Sequence, residues 1–204
     1  ATGAALVLGL LMAAGAVATV TCTAMIYASL KPIREWTHPL VVPGYLVFAG
    51  FLGAAVLSAL TGGDRLPVLL AIAFGLAGFV LKQAYWAAID RPAPVATIES
   101  ATGLGFIGTV RPLEAPHTET NYLLREMGFR IARAHAAKLR KIALGVGFAL
   151  PVLFLAGALL GGGAAIALSG PAAAFAICGM LAERWLMFAE ATHTVTLYYG
   201  ARAA

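Results

Sequence analysis

The chain has 204 residues, of which 61% are hydrophobic and 11% charged, with a formal net charge of +5. A soluble domain carries about 25% charged residues. The mean hydropathy of +0.88 therefore excludes a separately folding soluble domain of any size and predicts an all-α, polytopic transmembrane helix bundle.

Residues 1–30 and 142–182 contain no charged residue. A run of about 18 or more apolar residues is long enough to cross a bilayer, and lipid offers the backbone no hydrogen-bond partners, so spans of this kind form as helices. Five are predicted, within a single transmembrane domain. The first runs from about Ala4 to Ala28, ahead of Lys31-Pro32; it lacks the basic flank of a signal peptide and is longer than a signal-peptide core. The second spans about residues 43–61, from Pro43 to the Thr61-Gly62-Gly63 turn. The third, about residues 66–89, follows Asp64 and has Pro67 in its first turn, where proline is tolerated. The fourth covers about residues 142–160 and stops at Gly161-Gly162-Gly163. The last covers about residues 168–190, with Ser169 as candidate N-cap and Pro171 near the first helical position. The two cysteines, Cys22 and Cys178, lie inside apolar runs and are expected to be buried free thiols. Two cysteines are too few for a structural zinc site or an iron–sulfur cluster, each of which takes about four ligands.

The loops predict an orientation. Lys31 and Arg34, then Arg91, Arg111, Arg125, Arg130, Arg133, Lys138, Arg140 and Lys141, and finally Arg202 fall on one side of a five-span chain, and Arg65 alone on the other. The positive-inside rule makes the basic side cytoplasmic. This predicts a multi-pass protein of the bacterial inner membrane with its C-terminus inside. The basic excess thus argues for a membrane and against nucleic acid.

Residues 90–141 form the one large polar piece. Its first half is rich in Pro and Gly and reads as loop. Its second half, from Thr120, reads as an interfacial helix, with Leu124, Met127, Ile131 and Ala134 at helical spacing and the cations elsewhere on the wheel. Lipid contact and docking of a partner subunit are both open; Arg111, Arg125, Arg130 and Arg133 are the docking candidates. Gly103-Leu104-Gly105-Phe106-Ile107-Gly108 matches the dinucleotide pattern literally, but Pro112 follows and no strand–helix unit fits around it, so it reads as a turned loop.

The last span raises the chemical question, because it ends in Glu183, Arg184, Glu190 and His193. Glu190-x-x-His193 has the spacing used in di-iron bundles, but such a site needs a second copy and further carboxylates, so no metal is expected. His38, His117 and His135 lie in loops or the interfacial helix, which argues against a haem held between two membrane histidines. Three readings remain for Glu183 and Arg184. If the helix starts near Ala164, they stand at the cytoplasmic interface. If it starts near Pro171, they form a buried ion pair that fixes packing, or line a polar pocket for a quinone head group, since charge at that depth needs a partner. Lys82, flanked by Tyr85 and Trp86, reads as a lysine reaching out to the interface.

The stretches "TAMIYASLKPIREW", "THPL", "TIESATGLG" and "ERWLMFAEATHTVTLYYG" resemble the membrane anchor subunit of the dimethyl sulfoxide reductase family, in particular the anchors of bacterial membrane-bound sulfite-oxidising molybdoenzymes. The resemblance covers essentially the whole chain, through family patterns and not catalytic signatures. It implies an eight-helix anchor, hence about three helices ahead of Ala1. It also implies a non-catalytic subunit that binds no cofactor itself, holds an iron–sulfur subunit and a molybdopterin catalytic subunit at the membrane, and exchanges electrons with quinone. The family's quinol-site histidine lies in a His-Leu-Gly stretch that this sequence lacks, so that site is not carried over. A transporter or channel, or a purely structural anchor without a quinone site, are the alternative expectations.

Overall fold

The computed structural model describes residues 3–91, 96–114 and 129–199. Apolar runs that cannot leave backbone groups unpaired in lipid become helices, and five are long and apolar enough to cross a membrane: α1 (Gly3–Ala28), α2 (Val41–Leu60), α3 (Arg65–Ile89), α6 (Ala136–Ala158) and α7 (Gly163–Ala189). Two short helices, α4 (Ile98–Thr102) and α5 (Arg130–Ala134), lie between α3 and α6. The chain is an all-α polytopic membrane bundle, with no strand among the described residues.

Four helices form a ring in which α2 packs on α3, α3 on α6, α6 on α7, and α7 on α2. Thus α3 and α7 stand across the bundle from each other. Helix α1 lies outside the ring, against α2, and Ala24 is its one buried residue. Without a hydrophobic driving force between helices in lipid, association depends on close packing. Gly147 of α6 and Gly179 of α7 supply it: a Cβ on Gly179 would overlap the backbone of Gly147. Residues Gly145–Ala149 form a π-turn in which the Leu150 N–H reaches the Gly145 carbonyl. It directly precedes Pro151, which has no N–H to continue the ordinary ladder.

Two interior clusters fill the ring. Phe48, Phe51, Phe148 and Leu155 pack with the small residues of α7. Trp36, Tyr85, Trp86, Leu186 and Met187 pack nearer the end of the bundle that carries the long connections. At that end, arginines cap helix C-termini, whose last carbonyls lack intrahelical partners. The Arg34 guanidinium donates to the Ile89 carbonyl at the end of α3 and to the Arg91 carbonyl just beyond it. Arg133 donates to the Ala189 and Ala191 carbonyls at the end of α7, both at 2.8 Å. The buried Glu35 carboxylate accepts from the Thr192 N–H (3.0 Å) and hydroxyl (3.2 Å).

Several boundaries differ from the sequence expectation. Helix α7 starts at Gly163, not near residue 168. Gly161 and Gly162, both at positive φ, make the reversal that a side chain would disfavour, while Ser169 and Pro171 sit inside the helix. Helix α6 starts at Ala136, six residues ahead of Ile142, because Arg140 is held at its base by Asp90 and Glu190. Both cysteines are exposed on the outer surface: in a membrane bundle an apolar neighbourhood also marks the lipid face, so it did not imply burial. Of the expected interfacial helix, Leu124 and Met127 lie outside the described residues. In α5, Ile131 and Ala134 point outward and Ala132 inward. The Gly103–Gly108 stretch is a turn: α4 is closed by reciprocal Thr97–Ser100 capping and ends at Gly103 with φ 67°. Hydrogen bonds from its own backbone N–H, from Thr97 and from the Val110 N–H hold the Glu99 carboxylate below the usual carboxylate range.

Candidate functional site

The bundle interior holds one ionic cluster. Two of its three members come from two small-residue stripes of the same spacing. On α3, Ala71, Gly75, Gly78 and Lys82 recur at i, i+4, i+7 and i+11; on α7, Ala172, Ala176, Gly179 and Glu183 do the same, and all eight are buried. This spacing keeps one helix face inward. Each stripe therefore delivers a charge of opposite sign to the middle of the ring. The Lys82 Nζ lies 2.5 Å from Glu183 Oε1, with the two side chains 4% and 0% exposed. The Arg184 Nε donates to Glu183 Oε2 at 2.5 Å. Adjacent helical residues do not normally face each other, so the Arg184 side chain wraps back along α7 to make this bond. Its guanidinium then stacks 4.5 Å from the Tyr45 ring centroid of α2, while the Lys82 ammonium stands 4.3 Å from the Tyr85 ring and 4.7 Å from that of Trp86.

Two cations and one carboxylate give this cluster a net charge of +1 when all three are ionised. A narrow cleft of about 20 Å³ borders it, lined by Tyr45, Phe48, Lys82, Tyr85, Arg184 and Met187 among others. That is room for about one water molecule, between walls that are mostly apolar with a few convergent polar groups. Its polar groups are the Lys82 and Arg184 cations and two phenols, of which the Tyr85 hydroxyl donates to the Glu35 carbonyl at 3.1 Å. The Tyr45 hydroxyl contacts Met187 Sδ at 3.5 Å.

A second ionic cluster sits at the end of the bundle. Glu190 Oε2 accepts from the Trp86 indole N–H at 2.9 Å, and Glu190 Oε1 from Arg140 Nε at 2.6 Å. Arg140 also makes a bidentate pair with Asp90 at 2.6 and 2.9 Å. That pairing holds the Asp90 carboxyl below its ordinary range, partly opposed by burial. Trp86 therefore separates the two clusters, with Lys82 over its ring and Arg140 5.1 Å from its centroid.

The four candidates from the last span thus divide. Glu183 and Arg184 belong to the interior cluster, and Glu190 to the terminal one. His193 follows the end of α7, edge-on to Trp36 at 5.5 Å; burial and then the nearby Arg133 hold its pKa down. The depth of Glu183 answers to a helix starting at Gly163, about 30 Å away at 1.5 Å per residue, but its surroundings are not those of an interface, since it is fully buried. Lys82 does not reach outward as expected; it turns into the ring, because a buried carboxylate awaits it there. Among the docking candidates, Arg111 is exposed, and Arg133 is engaged with the end of α7. Arg125 lies outside the described residues, as does the side chain of Arg130. Among the described residues no three His, Cys, Asp or Glu side chains gather where a metal could be held.

No protein-family model matches the chain, and no solved structure matches it. Among curated proteins, it is similar to a sulfite dehydrogenase subunit of Allochromatium vinosum, with 31% identity over 201 residues. The match takes in 95% of this chain and 60% of that protein, so the chain spans about three fifths of its relative's length.

Proposed function

We propose that this chain is the membrane subunit of a sulfite-oxidising complex, passing electrons from an iron–sulfur subunit to quinone, with a molybdopterin subunit as the site of sulfite chemistry. The observation that carries the proposal is the match to the sulfite dehydrogenase subunit along nearly the entire chain. The membrane bundle agrees with it. The excess positive charge of the interior cluster is compatible with it: a quinone head group presents carbonyl oxygens that gain negative charge on reduction, and preorganised cations stabilise such charge in a dry site. In this reading the basic end faces the bacterial cytoplasm and receives the partners, with Arg111, Arg125 and Arg130 on the docking side. The subunit itself does no sulfite chemistry and holds no cofactor, quinone being its exchanged substrate.

The test is purification of the complex from membranes through a tag on this chain. Iron–sulfur and molybdopterin subunits should copurify, and the complex should reduce decylubiquinone with sulfite. Copurification of neither subunit, or substrate uptake by the chain alone in liposomes, would replace the proposal with a transporter reading. Unchanged quinone reduction in both Lys82→Met and Arg184→Leu would remove the interior cluster from the electron path and leave a structural anchor.

A further inference from the structure

The interior cluster has one more positive charge than it has negative. Arg184 stays protonated in any protein environment, and Glu183 is shared between both cations. Glu190 does not cancel the excess, because it lies beyond the Trp86 ring, bonded to the indole N–H and to Arg140. The narrow cleft stands on the cationic side of the cluster: Lys82 and Arg184 line it, and Glu183 does not. The charged side chains of its wall are therefore all cations. The wall also takes in Leu40, Val41 and Gly44, at the start of α2, where a helix carries partial positive charge. Arg184 uses its Nε on Glu183, which leaves the N–H groups of its two terminal nitrogens for other acceptors. The Tyr45 hydroxyl donates to Met187 Sδ, a weak acceptor, and can turn to a stronger one.

We propose that this cleft binds a single halide ion, of the chloride class, as the counter-ion of the cluster. Uncompensated charge in a low-dielectric interior is costly, and one monovalent anion cancels the excess. Size then selects among anions. The cleft has about 20 Å³, room for one water-sized molecule. A chloride ion is close to a water molecule in size, whereas phosphate, sulfate and carboxylates each bring several heavy atoms. The apolar wall of Phe48, Leu81 and Met187 suits chloride or bromide, which shed their hydration more readily than hydroxide. A water molecule would fill the same room but leave the excess charge standing. Bound there, the ion joins α2, α3 and α7 through Tyr45, Lys82 and Arg184. It holds three helices together and takes no part in electron transfer, so the site stands apart from the quinone reading.

The test is the melting temperature of the chain in phosphatidylcholine nanodiscs, with sodium gluconate replaced stepwise by sodium chloride or bromide at constant ionic strength and pH. Gluconate is too large for the cleft, so buffers of gluconate alone read screening without halide binding. A ligand that binds the folded state raises its stability by mass action. The wild type should therefore gain about 3–5 °C for each tenfold rise in halide beyond half-saturation. Lys82→Met removes the excess cation and should abolish the gain. Gly44→Ala keeps both cations and adds a methyl to the wall, 3.4 Å from the Leu81 side chain, an ordinary contact that the fold accepts; its half-saturation should move up tenfold or more. Equal melting in gluconate and chloride means that the cleft holds water only, and overturns the proposal. A halide gain that persists unchanged in both variants marks an adventitious ion only, and overturns it too. If a variant does not fold, equilibrium dialysis of the wild type against radioactive chloride decides: one ion per chain, displaced by bromide and not by gluconate, supports the site, and no saturable ion refutes it.

Discussion

Two ionic clusters share α3 and α7, one turn or two apart, and they differ in solvent. In Lys82–Glu183–Arg184 the lysine and the carboxylate are closed inside the ring, at 3% and 0% exposed, and the Arg184 side chain is partly exposed. Asp90–Arg140–Glu190 stands at the end of the bundle, where the Asp90 side chain is 54% exposed. Attraction between charges grows as the effective dielectric falls, but so does the cost of an unpaired charge. The interior cluster should therefore be sensitive to which partner is removed, and the terminal one should be weakly sensitive to any.

The largest effect belongs to Glu183→Ala, which strands the buried Lys82 ammonium and removes the partner of the Arg184 guanidinium. It should cost about 3–5 kcal/mol, read as a fall in melting temperature of the purified chain in nanodiscs. Lys82→Met should cost much less, about 1–2 kcal/mol, because Glu183 keeps Arg184. Equal losses in the two variants would show that the cluster is a simple ion pair without the excess cation, and would remove the basis of the asymmetry.

The difference between the clusters also marks what could be read in the sequence. The five apolar runs and the glycine reversals at residues 61–63 and 161–163 placed the spans, since backbone pairing in lipid leaves little freedom. Facing was harder. In lipid the outward face is as apolar as the inward one, so hydrophobic periodicity is weak and gave no reason to turn Cys22 outward or Lys82 inward. The usable signal was size: Ala71, Gly75 and Gly78 mark the packed face of α3, and Lys82 continues their register, as Glu183 continues that of Ala172, Ala176 and Gly179. The terminal cluster was not legible, because it joins Asp90, Arg140 and Glu190 from three helices whose order around the ring no local pattern records.

Within the terminal cluster, Arg140→Ala removes the group that joins α3, α6 and α7 at their shared end. Glu190 keeps the Trp86 indole as donor, so the loss should be about 1–2 kcal/mol, within the range for hydrogen bonds to charged groups. High salt should shrink it, since the Asp90 side of the network is open to screening. The interior variants should show no such salt dependence. A salt-insensitive R140A penalty, read from melting temperatures at low and high ionic strength, would mean that the two clusters do not differ in solvent access.

The smallest effect belongs to Asp90→Asn, because an exposed ion pair contributes up to about 1 kcal/mol. Its pH dependence is the sharper readout. Arg140 depresses the folded-state pKa of Asp90, so the unfolded chain binds the proton more readily, and the stabilisation is present above the unfolded carboxylate value of about 4. It is lost as pH falls through the folded value. The wild-type chain should therefore melt slightly above D90N at neutral pH, and the two should converge as the buffer becomes more acidic than the carboxylate range. Because Glu190 also holds Arg140, the guanidinium stays in place in D90N, and Arg133 still caps the end of α7. A D90N variant that lost as much as R140A would show instead that Asp90 is the residue that locates Arg140, and that the exposed side of the network, not Glu190, fixes the end of the bundle.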